Sequence, residues 1–215
     1  MFDKKGGYAG YDKNNKEREA LDFYATPPKE VYNILNVMNL KFENNDVILD
    51  NSCGAGHLLD GLFLYCDEKK YAPHIIGTDI KDRFINSNEL NYIHVGKEFD
   101  FLSDNYNCGH EKVDYCIINP PYSVCTPFIQ KSIDMSKKGV LALLRLQFIE
   151  TQKRYEEIFS IFPPTEVYVY VDRINCAKNG EFSKYKNSAQ AYAWFWWDIL
   201  KQNKSSTLKW IRRAE

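Results

Sequence analysis

Residues 119–122, Asn-Pro-Pro-Tyr, bring together types that can do chemistry as a group. Asn119 offers a side-chain carbonyl acceptor. Pro120 and Pro121 fix φ and carry no N–H, so the backbone there presents carbonyl oxygens and almost no donors. Tyr122 adds a flat ring with a polar tip. Rigid acceptors beside an aromatic plate suit a planar group bearing an exocyclic NH2, such as a nucleobase. The same four residues would also serve as a strand end, a Pro-Pro turn and a rim tyrosine. The apolar run from Tyr115 to Ile118 in front of them predicts a buried parallel strand that ends on the motif.

Three further stretches place acids or glycines where strands are expected to end. Asp50 closes a β-prone run and leads into Asn51-Ser52-Cys53-Gly54-Ala55-Gly56, followed by an apolar helix. Strand, glycine-rich turn and helix let a backbone approach a nucleotide-like ligand closely. A dinucleotide fingerprint would place a third glycine where Leu59 stands, which argues against NAD. Asp79 closes the next strand, near the spacing at which a carboxylate meets a ribose diol; an acidic helix cap is the plainer role. Asp100 and Phe101 could accept from an adenine amino group and cover its ring, or be a loop acid and a core aromatic. Upstream, Thr26 and Pro27 read as N-cap and first residue of a helix whose face is Val31, Ile34 and Leu35.

The elements that must position these residues alternate. Strands are expected at 46–50, 74–79, 92–95, 115–118, 139–144, 166–171 and 191–197, with helices between them, among them 84–90, 126–136 and 150–162. Residues 201–206 with 207–211 suggest a closing hairpin. This predicts an α/β fold, a doubly wound sheet, mostly parallel, with one antiparallel strand near the C-terminus. Ligands in such sheets sit at the carboxyl ends of the strands, where Asp50, Asp79, Asp100 and Asn119 all fall.

The 215-residue chain has 44% apolar and 27% charged residues, values ordinary for a soluble globular protein. Residues 1–20 are polar and without period, and read as a mobile arm ahead of a single domain over 21–215. No apolar run approaches ~18 residues and the N-terminus has no apolar signal core, so neither a membrane span nor export is expected. The cysteines, Cys53, Cys66, Cys108, Cys116, Cys125 and Cys176, show no framework spacing and read as reduced cytoplasmic thiols. Cys108, His110 and Cys116 lack a fourth ligand at a zinc spacing, so no metal is expected. Net charge is -1, yet residues 173–215 hold nine Lys and Arg against three Asp and Glu. That basic quarter is either a polyanion-facing side or a solvated surface. Within it, Arg173, Lys184 and Lys186 are candidate phosphate contacts and Tyr185 a candidate wedge, in a loop over 173–189 that could equally be a plain connection.

With these residues in view, the sequence resembles the S-adenosylmethionine-dependent DNA adenine-N6 methyltransferases of the small phage and prophage kind. Phe23–Pro28 (FYATPP) resembles the family's methionine-binding segment and Asp50–Gly56 (DNSCGAG) its glycine loop, although Asn51 stands where proline is frequent. Asp79 resembles its ribose-binding acid, Asp100-Phe101 its adenine pair, and Asn119–Tyr122 its catalytic motif. The resemblance covers about residues 21–200. It implies a Rossmann-like methyltransferase fold with a seven-stranded sheet and S-adenosylmethionine as cofactor. The cofactor residues would be Tyr24, Thr26, Asp50, Cys53, Gly54, Gly56, Asp79, Asp100 and Phe101; the catalytic ones would be Asn119, Pro120, Pro121 and Tyr122. DNA is the implied partner, with the base flipped into the pocket, for a monomer or weak homodimer. The motif marks amino-group methylation as a class. An RNA base or a protein glutamine as acceptor, and an inactive relative that only binds nucleic acid, are the alternatives.

Overall fold

Apolar runs flanked by helices on both sides bury both faces of the sheet they form. The computed structural model describes residues 24–83, 93–94, 99–183, 190–201 and 204–214; of 93–94, only the backbone. The expected arm over 1–20, the helix over 84–90, and Lys184, Tyr185 and Lys186 lie outside the described residues.

The chain begins with β1 (Tyr24–Ala25) and α1 (Pro28–Met38), then β2 (Val47–Asp50), α2 (His57–Lys69), β3 (His74–Gly77) and β4 (Ile93–His94). β5 (Val113–Ile118), α3 (Cys125–Met135), β6 (Ser136–Arg145) and β7 (Glu166–Tyr170) follow, then β8 (Ala177–Lys178), β9 (Tyr192–Asp198) and β10 (Thr207–Ile211). Eight strands form one sheet in the order β10-β7-β9-β6-β5-β2-β3-β4. β9 runs antiparallel to both its neighbours, and every other pairing is parallel. The expected mostly parallel sheet with one late antiparallel strand is present. Its eighth strand is the difference: residues 207–211 do not form a hairpin with 201–206 but add a parallel edge strand to β7.

Alternation along the strands divides the core in two. Ile48, Ile117, Leu141, Trp194 and Trp196 face α1 and α2, against Val31, Ile34, Leu35, Leu59 and Leu62. Leu49, Cys116, Ile118, Val140 and Trp197 face α3, against Ile129 and Ile133. Each fully buried large side chain contributes roughly 1.5–3 kcal/mol relative to exposure. Two helix expectations need correction. α1 starts at Pro28, with Pro27 as its N-cap residue and no side-chain cap, so the Thr26 hydroxyl is free for another task. The expected helix over 150–162 is only Gln152–Arg154 followed by a π-helical turn, Tyr155–Phe159. The wider π turn takes Tyr155 off the buried face, leaving it 62% exposed while Ile158 stays buried.

β1 and β8 form a separate antiparallel pair. This ties the start of the basic loop to the segment that carries Tyr24 and Thr26. Among the described residues no helix is long and apolar enough to cross a membrane.

Candidate active site

A pocket opens at the carboxyl ends of the central strands and is lined by Tyr24, Thr26, Asp50, Cys53, Asp79, Asp100, Phe101, Asn119 and Pro121. Five segments that lie far apart in the sequence thus meet at one place. Pro120 is buried beside it, and Gly54 and Gly56 form the turn under it, at φ 52° and 91°. In that left-handed region glycine is the residue of least strain.

Asn119 is the best-defined member. Its Nδ2 donates to the Tyr24 carbonyl at 2.7 Å and to Thr26 Oγ1 at 3.0 Å. A main-chain carbonyl can only accept, so the amide orientation is fixed: nitrogen toward β1, oxygen away from it. Asn119 Oδ1 is buried and has no hydrogen-bond partner among the described residues. Thr26, 2% exposed, thus serves to hold Asn119 rather than to cap α1. Ser52, which motif reasoning did not single out, places Oγ 3.2 Å from the Asn119 carbonyl oxygen.

The acids differ sharply. Asp79 accepts from the Gly54 N–H at 2.8 Å, the Lys81 N–H at 3.0 Å and Arg83 Nη1 at 2.9 Å. Its carboxylate therefore holds the glycine turn in place, and a diol approaching it would compete with Arg83. Asp50 is fully buried and, among the described residues, accepts only from Ser52. Burial first, and the nearby Asp79 charge, push its carboxyl up to about 8 from an ordinary 3.8. Asp100 accepts from the Leu102 N–H. Burial pushes the Cys53 thiol up, so this residue acts as a small apolar packing group.

The Asp50 shift sets a pH dependence. The folded protein holds this proton where the unfolded chain has lost it, so stability from this group is full below about pH 4 and is lost as pH rises to about 8. The melting temperature of the protein alone is expected to fall between pH 5 and 8. Asp50→Asn is expected to flatten that fall; an unchanged profile would place the titration elsewhere.

Phe101 is 2% exposed and packs edge-on to Tyr106 and against Phe128, more floor than lid. The half-buried Ile80 and Phe99 are better placed to cover a flat ring, and both line the pocket. Their only sequence signal is adjacency to Asp79 and Asp100.

Tyr122 packs beside Tyr24, ring centres 5.3 Å apart, and does not itself line the pocket. Its hydroxyl is 2.8 Å from that of Tyr192, and the Arg145 guanidinium sits 3.8 Å above its ring centre. Neither Tyr192 nor Arg145 was legible as a site residue; they start β9 and end β6. Burial pushes the Tyr122 hydroxyl up, so it stays protonated. Arg173 is exposed and lies outside the pocket, on a separate groove with Pro27, Lys29 and Arg213. The loop after it does return to the site: the Phe182 ring packs edge-on to His57, which lines the pocket.

No family model matches the sequence, and no curated protein matches it. Solved structures do. One from Listeria monocytogenes, described as a class I S-adenosylmethionine-dependent methyltransferase, superposes with a TM-score of 0.65 at 15% identity, over 94% of this chain and 68% of that one. A modification subunit of a type I restriction enzyme described from Vibrio vulnificus gives 0.56 at 14% identity, over 94% and 51%. A dimethyladenosine transferase from Plasmodium falciparum gives 0.51 at 17%, over 82% and 62%. The chain thus spans about half to two thirds of these proteins, and at such identities the likeness establishes architecture: this chain has the class I S-adenosylmethionine-dependent methyltransferase fold.

Proposed function

We propose that the protein transfers the methyl group of S-adenosylmethionine to the exocyclic N6 of adenine in DNA. The fold does not choose the acceptor; the observation that favours an amino group is the buried Asn119 Oδ1, without a partner among the described residues, in an amide whose orientation is fixed. Such an oxygen is costly to leave unpaired and asks for an N–H donor. The dimethyladenosine transferase among the similar structures is named for an adenosine product, which agrees with this reading.

The pocket suits the cofactor. Asp50, Asp79 and Asp100 line it with acceptors, with Arg83 paired to Asp79, and Ile80 and Phe99 offer apolar surface for an adenine ring. Tyr24, Thr26 and the Gly54–Gly56 turn would hold its aminoacyl end. Bound there, S-adenosylmethionine supplies an electrophilic methyl group.

The chain's own residues then act by positioning. An adenine amino nitrogen is a weak nucleophile because its lone pair is delocalised into the ring. Asn119 Oδ1 and the Pro120 carbonyl accept its two N–H bonds, which draws the nitrogen toward tetrahedral geometry and frees the lone pair. The Ser52 hydroxyl and the Thr26–Tyr24 segment keep Asn119 in place while this happens. No side chain serves as a nucleophile. The base must leave the duplex, at a cost of a few kcal/mol, and stacking on Tyr122 offsets about 1–3 kcal/mol of it. A base that stacks on the face covered by Arg145 takes the guanidinium's place.

The test uses purified protein and methyl-labelled S-adenosylmethionine with duplex DNA, single-stranded DNA, RNA and a protein lysate. Label recovered from DNA as N6-methyladenine is the expected result. Label confined to RNA or protein would keep the cofactor and discard the substrate. A protein that binds no cofactor would overturn the enzyme reading altogether.

A further inference from the structure

We infer that Asn51 Oδ1 binds the α-ammonium group of the cofactor's methionine portion, an inference that rests on the cofactor reading above. Asn51 follows Asp50 at the end of β2, is 2% exposed and lines the same pocket. Its Nδ2 donates to Ser132 Oγ in α3 at 2.9 Å. Ser132 is fully buried and does not line the pocket. The amide nitrogen is therefore turned into the protein, and Oδ1 is the polar atom left on the pocket side. It is buried without a hydrogen-bond partner among the described residues.

The chemistry of the ligand follows from the kind of atom left without a partner. An amide oxygen is satisfied by an N–H donor. A sulfonium has none; an ammonium has three and a full charge. Ser52, the next residue, faces the transfer end of the site through Asn119, and Asn51 points away from it toward α3. Asp50 alone would be an intermittent partner, since its carboxyl keeps a proton up to about pH 8 in the protein alone. A neutral amide oxygen accepts at every pH. Proline at this position, frequent in the resembling family, could not make the contact.

The test measures binding by calorimetry of S-adenosylmethionine, S-adenosylhomocysteine and methylthioadenosine, which keeps the nucleoside and thioether but lacks the aminoacyl end. Asn51→Leu keeps the volume and removes the polar atoms; Asn51→Ala guards against a packing effect of leucine. Both variants are expected to weaken the first two ligands about 10- to 100-fold and to leave methylthioadenosine unchanged. Retained methylthioadenosine binding also shows that the site is folded. Equal loss of all three ligands would make Asn51 a structural residue and overturn the inference, as would no loss for any. Loss of S-adenosylmethionine alone would assign the oxygen to the sulfonium instead. Wild-type protein that binds none of the three would remove the cofactor reading itself, an outcome distinct from the others.

Discussion

Asn119→Ala is expected to lower methyl transfer by about 100- to 1,000-fold, the loss typical of removing one preorganised polar contact to a developing charge. In the proposed reading Oδ1 meets the acceptor, so cofactor affinity should change less than the rate, by the amount that the lost Nδ2 contacts to Tyr24 and Thr26 contribute. Single-turnover rates on the proposed DNA substrate and calorimetric binding of S-adenosylmethionine separate the two effects. Asn119→Asp is the informative companion. It keeps an oxygen for the amino group but replaces the Nδ2 donor with a second oxygen opposite the Tyr24 carbonyl. Two acceptors then face each other, so the carboxylate turns or the β1 segment shifts, and the activity is expected to be lost here too. An Asp variant as active as the wild type would mean that Tyr24 and Thr26 do not orient residue 119. An Ala variant that keeps most of its activity would remove Asn119 from the chemistry.

What the sequence made legible is the chemistry that is local in the chain. The Asn-Pro-Pro-Tyr run declares its acceptors through residue type alone. Asp50, Asp79 and Asn119 could be placed at strand ends because a run of apolar residues stops where the strand does, and the pocket does gather them. What stayed hidden depends on partners distant in sequence. The Thr26 hydroxyl reads as a cap from its neighbours, yet its partner is Asn119. Asp79 reads as a ribose-binding acid or a helix cap, yet Gly54 and Arg83 hold it. Thr207–Ile211 has the look of a hairpin arm because antiparallel pairing is the local solution, whereas its partner β7 precedes β9 in the chain. Parallel pairing leaves no turn signature to read. Arg145 and Tyr192 lie on adjacent antiparallel strands and are paired in register, so only the sheet reveals that both reach Tyr122.

That dependence on long-range packing makes Gly61→Ala the second large effect. Gly61 lies in α2, where a Cβ would stand 2.2 Å from the Pro28 carbonyl oxygen and 2.8 Å from Val31 Cβ. The nearer obstacle is backbone, so no rotamer change relieves it; α1 must move off α2. Overpacking of this kind costs about 3 kcal/mol at the upper end of the usual range. The better helix propensity of alanine returns about 1 kcal/mol, leaving a net loss of about 2 kcal/mol. For a chain of this size that corresponds to a drop in melting temperature of roughly 4–8 °C. The consequence reaches the site because Pro28 is two residues from Thr26, whose Oγ1 accepts from Asn119. Displacing the start of α1 is therefore expected to loosen the Asn119 amide, the proposed contact for the acceptor. Activity measured well below the melting transition should fall along with stability, although residue 61 touches neither ligand. A variant that melts early yet transfers methyl groups at the full rate would show that the α1–α2 contact and the Asn119 anchor are independent.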